Sequence, residues 1–111
     1  MLKTAICDLF GIEHPIIQGG MAHVGTAELA SAVSNAGGLG IIGAGYYQPD
    51  WVRQQIQLTR QQTSQPFGVN IQLTSPFTEP VVEVVLQEQV PWLPPGLAIL
   101  RFTSLDLSRP G

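Results

Sequence analysis

The stretch PIIQGGMAH, residues 15–23, decides how the rest of the chain is read. Ile16 and Ile17 centre a short apolar run, residues 15–18, that reads as a buried strand. The run stops at two glycines and a methionine, and a helix is expected to begin near Thr26. In α/β folds the C-terminal end of a strand is where ligands bind. Gly19 and Gly20 carry no Cβ, so the main chain can pass close to a flat molecule there and present N–H groups to it. Taken alone, the stretch is equally compatible with a tight turn in which Met21 fills core.

Outward from residue 23, strand and helix patterns alternate. Thr26 is placed as an N-cap, with Glu28 in the first turn where its charge suits the helix dipole. Leu29, Ala30, Val33 and Ala36 fall at helical spacing, and Gly37 supplies the stop. A second apolar run, residues 39–42, ends at GAG. Pro49 then suits a first helical turn, and Val52, Ile56 and Thr59 mark one face of a helix whose five glutamines place it on an outer surface. The third run is FGVNIQL, residues 67–73, after which Ser75 or Thr78 is expected to cap a helix with Val81, Val82, Val85 and Leu86 as its apolar stripe. Three strand–helix units in this order imply parallel strands with right-handed crossovers. An open doubly wound sheet and a (β/α)8 barrel both read this way.

Composition narrows the function classes. Of 111 residues, 44% are hydrophobic and 12% charged, and the net charge is −3 with five Lys and Arg in total. No basic cluster exists to neutralise a phosphate backbone, which sets nucleic acid aside as a partner. A single cysteine, Cys7, fits a packing role and a reducing compartment. The first ten residues, MLKTAICDLF, lack a signal peptide's apolar region, and no run reaches the length of a membrane span. A cytoplasmic protein without a membrane partner is expected, and no metal-ligand motif is present.

GLGIIG, residues 38–43, matches the G-x-G-x-x-G pattern of dinucleotide sites. Its glycines bracket a strand instead of following one, and no Asp or Glu lies between Asp50 and Glu79, so that reading is rejected. Asn70 carries more weight. It is a polar residue within an apolar strand, and a buried amide needs partners. Gln72, two residues on, is expected on the same face. Two amides at one end of a barrel suit a heterocycle with alternating donors and acceptors, although Asn70 could instead serve neighbouring loop backbone.

HPIIQGGM, AVSNAGGLGIIGAG and PFGVNIQLTSPF, in this order and spacing, closely resemble the N-terminal part of the FMN-dependent nitronate monooxygenase (2-nitropropane dioxygenase) and type II enoyl-acyl-carrier-protein reductase family. The resemblance spans residues 3–91. It implies the N-terminal three βα units of a (β/α)8 TIM-type barrel, incomplete in this chain, with FMN at the C-terminal mouth. By that resemblance Gly20, Met21 and Ala22 line the isoalloxazine, Asn70 bonds its pyrimidine edge, and Gln72 faces the same space. Gly43 and Gly45 would leave room for the ring. The family's catalytic histidine is expected beyond residue 111, so no catalytic residue is assigned; His14 and His23 are taken as surface or packing residues.

FGVNIQLTSPF and GLGIIGAG lean towards the enoyl reductase branch. There NADH or NADPH donates a hydride to FMN, which reduces the double bond of an acyl-carrier-protein-linked or small thioester. The other branch cleaves alkyl nitronates with oxygen.

Residues 92–111 read differently. The family continues after Val90 with a strand such as Val-Val-Thr-Thr-Gly-Ala-Gly-Asn-Pro, whereas Pro94 and Pro95 here would break a central strand. Suitable codons for WLPPGLAIL, preceded by one G, spell that expected strand. Residues 1–91 are therefore expected to be the barrel part and 92–111 an out-of-frame tail. A catalytically inactive truncated product follows as one expectation, and a small self-sufficient flavin-binding module as another.

Overall fold

The computed structural model describes residues 4–21 and 23–90 in full, together with the backbone of Trp92–Leu93 and Leu100–Arg101. Ala22 lies outside the described residues, as does most of the tail. The elements are α1 (Ala5–Phe10), α2 (Ala27–Asn35), β1 (Gly40–Gly45), α3 (Pro49–Gln62), β2 (Phe67–Ile71), α4 (Thr78–Gln87), β3 (Trp92–Leu93) and β4 (Leu100–Arg101). They form one sheet in the order β1-β2-β3-β4. β1 and β2 run parallel in the register Ile41↔Gly68, Ile42↔Val69 and Gly43↔Asn70, with an irregularity between Gly43 and Gly45. β3 joins β2 in parallel through Gly68↔Trp92, and β4 returns antiparallel to β3.

The strand expected at residues 15–18 is reduced to one parallel bridge, Ile17↔Leu39. Two ladder bonds flank it, from Gln18 N to Leu39 O at 3.0 Å and from Leu39 N to Ile16 O at 2.9 Å. Beyond this point a side chain replaces backbone. The Gln18 carboxamide donates from Nε2 to Ile41 O at 3.0 Å and accepts from Ile41 N at Oε1, 3.1 Å. One amide thus satisfies both polar groups of a buried residue at the sheet edge.

α3 forms as its pattern predicts. Pro49 sits in the first turn, and Val52, Ile56 and Thr59 are fully buried. Its glutamines are not all turned outward, however. Gln55 Oε1 accepts from Ala27 N at 2.8 Å, and Gln62 Oε1 accepts from Ser31 Oγ at 2.7 Å. Gln55 thereby supplies the cap of α2 that the Thr26 side chain does not make, although Thr26 does occupy the N-cap position.

The buried face of α2 also differs from the expected one. Ala27, Ala30, Ser31 and Ser34 point inward, whereas Leu29 and Val33 are half-buried and Ala36 is exposed. The cause is a close approach to β1: a Cβ on Gly40 would stand 2.7 Å from both Ala30 C and Ser34 Oγ. Only small residues fit along that contact. Ser34 is buried there, accepting from Gly40 N at 3.0 Å and donating to Pro66 O at 2.8 Å.

In α4 the N-cap position falls to Phe77, not Ser75 or Thr78. The Ser75 hydroxyl accepts from Phe77 N, and Thr78 Oγ1 donates to Ser75 O. Val81, Val84 and Val85 are buried, while Val82 and Leu86 are half-buried, so the stripe is centred one position away from the expected one. The six-residue helix α1, not anticipated in the sequence, buries Cys7 and Phe10 with Ile12, Leu39 and Ile41.

Alternation gives the two faces of β1 and β2 different neighbours. Ile42, Ala44, Phe67, Val69 and Ile71 pack with Ala30, Val52, Ile56, Val81, Val84 and Val85 in one core. The opposite face carries Leu39 and Ile41 beneath α1, then Gly43 and Asn70 towards the C-terminal ends of the strands.

Candidate functional site

The residues that the sequence singles out lie at the C-terminal ends of β1 and β2. After the Ile17 bridge the chain crosses these ends as a loop, described at residues 19–21 and 23–25 and held by its own backbone. Gly25 N donates to Met21 O at 2.7 Å, and Gly43 N donates to Gly25 O at 2.8 Å. The loop is thereby pinned to β1 at Gly43, the residue in register with Asn70.

Gly20 lies directly against Asn70. A Cβ built on Gly20 would stand 2.5 Å from Asn70 Cγ and 2.6 Å from its Cβ, so no other residue fits without displacing the amide. Asn70 is half-buried, and its carboxamide makes no hydrogen bond to another described residue. No buried side-chain N or O among the described residues lacks a partner, so this amide reaches solvent, where a ligand could take the place of water. Met21, 42% exposed, follows Gly20 with its side chain accessible to a ligand.

Gln72 stands apart from this pair. β2 ends at Ile71, so the alternation that would align Gln72 with Asn70 does not extend to it. Its side chain is exposed and donates from Nε2 to Thr74 Oγ1 at 3.4 Å. Gly43 is buried with its N–H committed to the loop, and Gly45 adopts φ +52° at the strand irregularity.

The rim has connections the sequence did not disclose. Tyr46 Oη lies 2.7 Å from Thr74 Oγ1, joining the segment after β1 to the one after β2. His23 Nδ1 lies 2.5 Å from Tyr47 Oη, and Tyr47 stacks on Trp51 with centroids 3.9 Å apart. His14 is half-buried, with Gly37 packed against its ring. The one legible signal among the missed residues was Gly25, a glycine directly before the N-cap of α2. Among the described residues, no group of three His, Cys, Asp or Glu could hold a metal ion, and no helix is long and apolar enough to cross a membrane.

The arrangement suits a planar heterocycle. Gly20 allows close approach, and Asn70 offers one donor and one acceptor in the plane of an amide. Parallel strands alternating with helices, and a glycine loop across their C-terminal ends, define the first part of a TIM-type α/β barrel.

Within that class the chain belongs to the nitronate monooxygenase family, whose sequence model matches residues 3–100. The family is one of FMN-dependent oxidoreductases. A probable nitronate monooxygenase of Staphylococcus aureus (strain JH9) is 40% identical over 93 residues, covering 84% of this chain and 26% of that protein. The structure of FabK from Thermotoga maritima superposes with a TM-score of 0.85 at 51% identity, over 88% of this chain and 32% of FabK. Nitroalkane oxidase from Streptomyces ansochromogenes superposes with a TM-score of 0.71 at 30% identity, over 81% of this chain and 35% of that one. The chain thus spans about a quarter of the length of the curated relatives it matches.

Proposed function

We propose that the loop at Gly20, Met21 and Ala22, together with Asn70, receives the isoalloxazine ring of FMN, and that the protein is the N-terminal part of an FMN-dependent enoyl-acyl-carrier-protein reductase. One observation carries the cofactor assignment: Gly20 lies flat against a half-buried Asn70 whose carboxamide bonds no described residue. Asn70 would accept from and donate to the pyrimidine edge of the ring, and the Gly20–Met21 main chain would pass along it. FMN, when bound, would supply the two-electron redox chemistry. The role of the chain is to orient the ring, and the β1–β2 core gives that end of the sheet a rigid support. Gln72, further out, is assigned a peripheral contact.

Two observations support the enoyl reductase branch, with NADH or NADPH as electron donor and an acyl-carrier-protein-linked or small thioester as substrate. FGVNIQLTSPF and GLGIIGAG resemble that branch, and the 51% identity to FabK exceeds the 40% and 30% to the proteins named for nitronate and nitroalkane chemistry. Nitronate monooxygenase activity is the second reading, favoured by the family match over residues 3–100. A cytoplasmic location is part of the proposal. So is an out-of-frame origin for residues 92–111, which rests on Pro94 and Pro95 directly after the two-residue β3, while the family match runs on to residue 100.

The test uses the 111-residue chain and the product of its coding DNA with one base restored before the Trp92 codon. Both are loaded with FMN, gel-filtered, and assayed for oxidation of NADH or NADPH with crotonyl thioester and for oxygen uptake with an alkyl nitronate. The proposal expects thioester-dependent oxidation by the restored product. Oxygen uptake with the nitronate alone would replace it with the second reading. If no reading frame continues the family strand, the tail is genuine.

A further inference from the structure

We propose that His23 and Tyr47 form a latch that holds the loop of residues 19–25 in its ring-receiving shape, anchored to the core through Trp51. The link to flavin rests on the assignment of Gly20, Met21 and Asn70 above; the latch itself does not.

His23 has φ +68°, a left-handed conformation that is uncommon for a residue with a Cβ, although histidine adopts it more readily than most. Its backbone sits inside the turn closed by Gly25 N and Met21 O at 2.7 Å. A change of His23 to negative φ would break the turn between Met21 and Gly25. Two contacts oppose this. His23 Nδ1 lies 2.5 Å from Tyr47 Oη, and the two rings meet edge to face at 75° with centroids 5.5 Å apart.

Tyr47 is itself fixed. Its N–H donates to Ala44 O at 3.0 Å, and its ring stacks on Trp51 at 3.9 Å and 19°. Trp51 belongs to α3 and packs against the main core of Ile42, Val52 and Ile56. A continuous set of contacts therefore runs from that core through Trp51 and Tyr47 to His23, and from the loop back to β1 at Gly43. His23 and Tyr47 are positioning residues: neither hydrogen-bonds Asn70, yet their contact decides whether the Gly20 main chain is presented to a ring.

Backbone amide exchange on the whole 111-residue chain, without ligand, tests the latch. In Tyr47→Phe and His23→Ala the amides of Gly25 and Gly43 are expected to exchange about tenfold faster, the change that ~1.4 kcal/mol makes. His23→Gly is expected to raise exchange less than His23→Ala, because glycine takes φ +68° without strain. Amides in the middle of α3 and α4 stay at their wild-type rates. Wild-type rates at Gly25 and Gly43 in both Tyr47→Phe and His23→Ala, or a rise spread evenly through α3 and α4, would overturn the proposal.

FMN titration of the same variants separates the two ideas. Weakened FMN binding in Tyr47→Phe, by the factor seen in exchange, joins the latch to the flavin site. Faster exchange in a chain whose loop ignores FMN keeps the latch and removes the flavin assignment.

Discussion

The two faces of the β1–β2 sheet are built from the same two strands, and their residues have opposite character. On the helix-packed face Ile42, Val69 and Ile71 meet Val52, Ile56 and Val85, all of them at or below 2% exposure. On the other face Leu39 and Ile41 pack beneath α1, and towards the strand ends the residues shrink to Gly43 beside the half-buried Asn70. The packed face has no polar side chain from the strands, whereas the open one ends in a carboxamide without a bond to a described residue. The difference teaches where stability and function are separated. Apolar burial on one face supports the sheet, so the other face tolerates glycine and an uncommitted amide where a ligand is received.

Substitutions on each side should break or sharpen that division. The largest effect is expected from Ile56→Ala, which empties a fully buried position on the packed side. Loss of about 2–5 kcal/mol in urea unfolding is expected, enough to undo a marginal domain. A loss under about 1 kcal/mol would mean that the packed face is not the main source of stability.

Gln18→Ala comes next. It strips both bonds from the buried Ile41 N–H and C=O at the edge of β1, at 3.1 and 3.0 Å. An expected cost of about 1–3 kcal/mol reflects two polar groups left unpaired. Gln18→Glu should fall between wild type and Gln18→Ala, since it keeps the acceptor and loses the donor.

Asn70→Ala should change stability least, by less than about 0.5 kcal/mol, because its carboxamide bonds no described residue. Its effect is expected in flavin response instead. A large loss of stability on Asn70→Ala would show that the open face carries structure after all.

How much of this was legible in the sequence follows from how local each signal is. α3 was plain from Pro49 and the spacing of Val52, Ile56 and Thr59, all within one helix. The Gly20 and Asn70 pair was also legible, because each residue is out of character where it stands: a glycine ending an apolar run and an amide inside one. Packing against other elements was not. The inward face of α2 is set by its approach to Gly40, which helical periodicity cannot anticipate. The expected first strand shrank to a bridge because the Gln18 amide takes over its pairing with a partner 23 residues away. The His23–Tyr47 contact joins residues 24 apart and left no mark in either local pattern.

We propose that the open face ends in a flavin contact at Gly20, Met21 and Asn70. It is tested most directly by titrating the isotope-labelled 111-residue chain with FMN, and then with lumiflavin, in NMR spectra that resolve backbone and carboxamide N–H groups. The Gly20 and Met21 amides and the Asn70 side-chain NH2 are expected to move with either ligand, Val81 and Val85 to stay in place, and Asn70→Ala to abolish the response. Unmoved signals at Gly20 and Asn70 at millimolar ligand, or shifts confined to other residues, would contradict it.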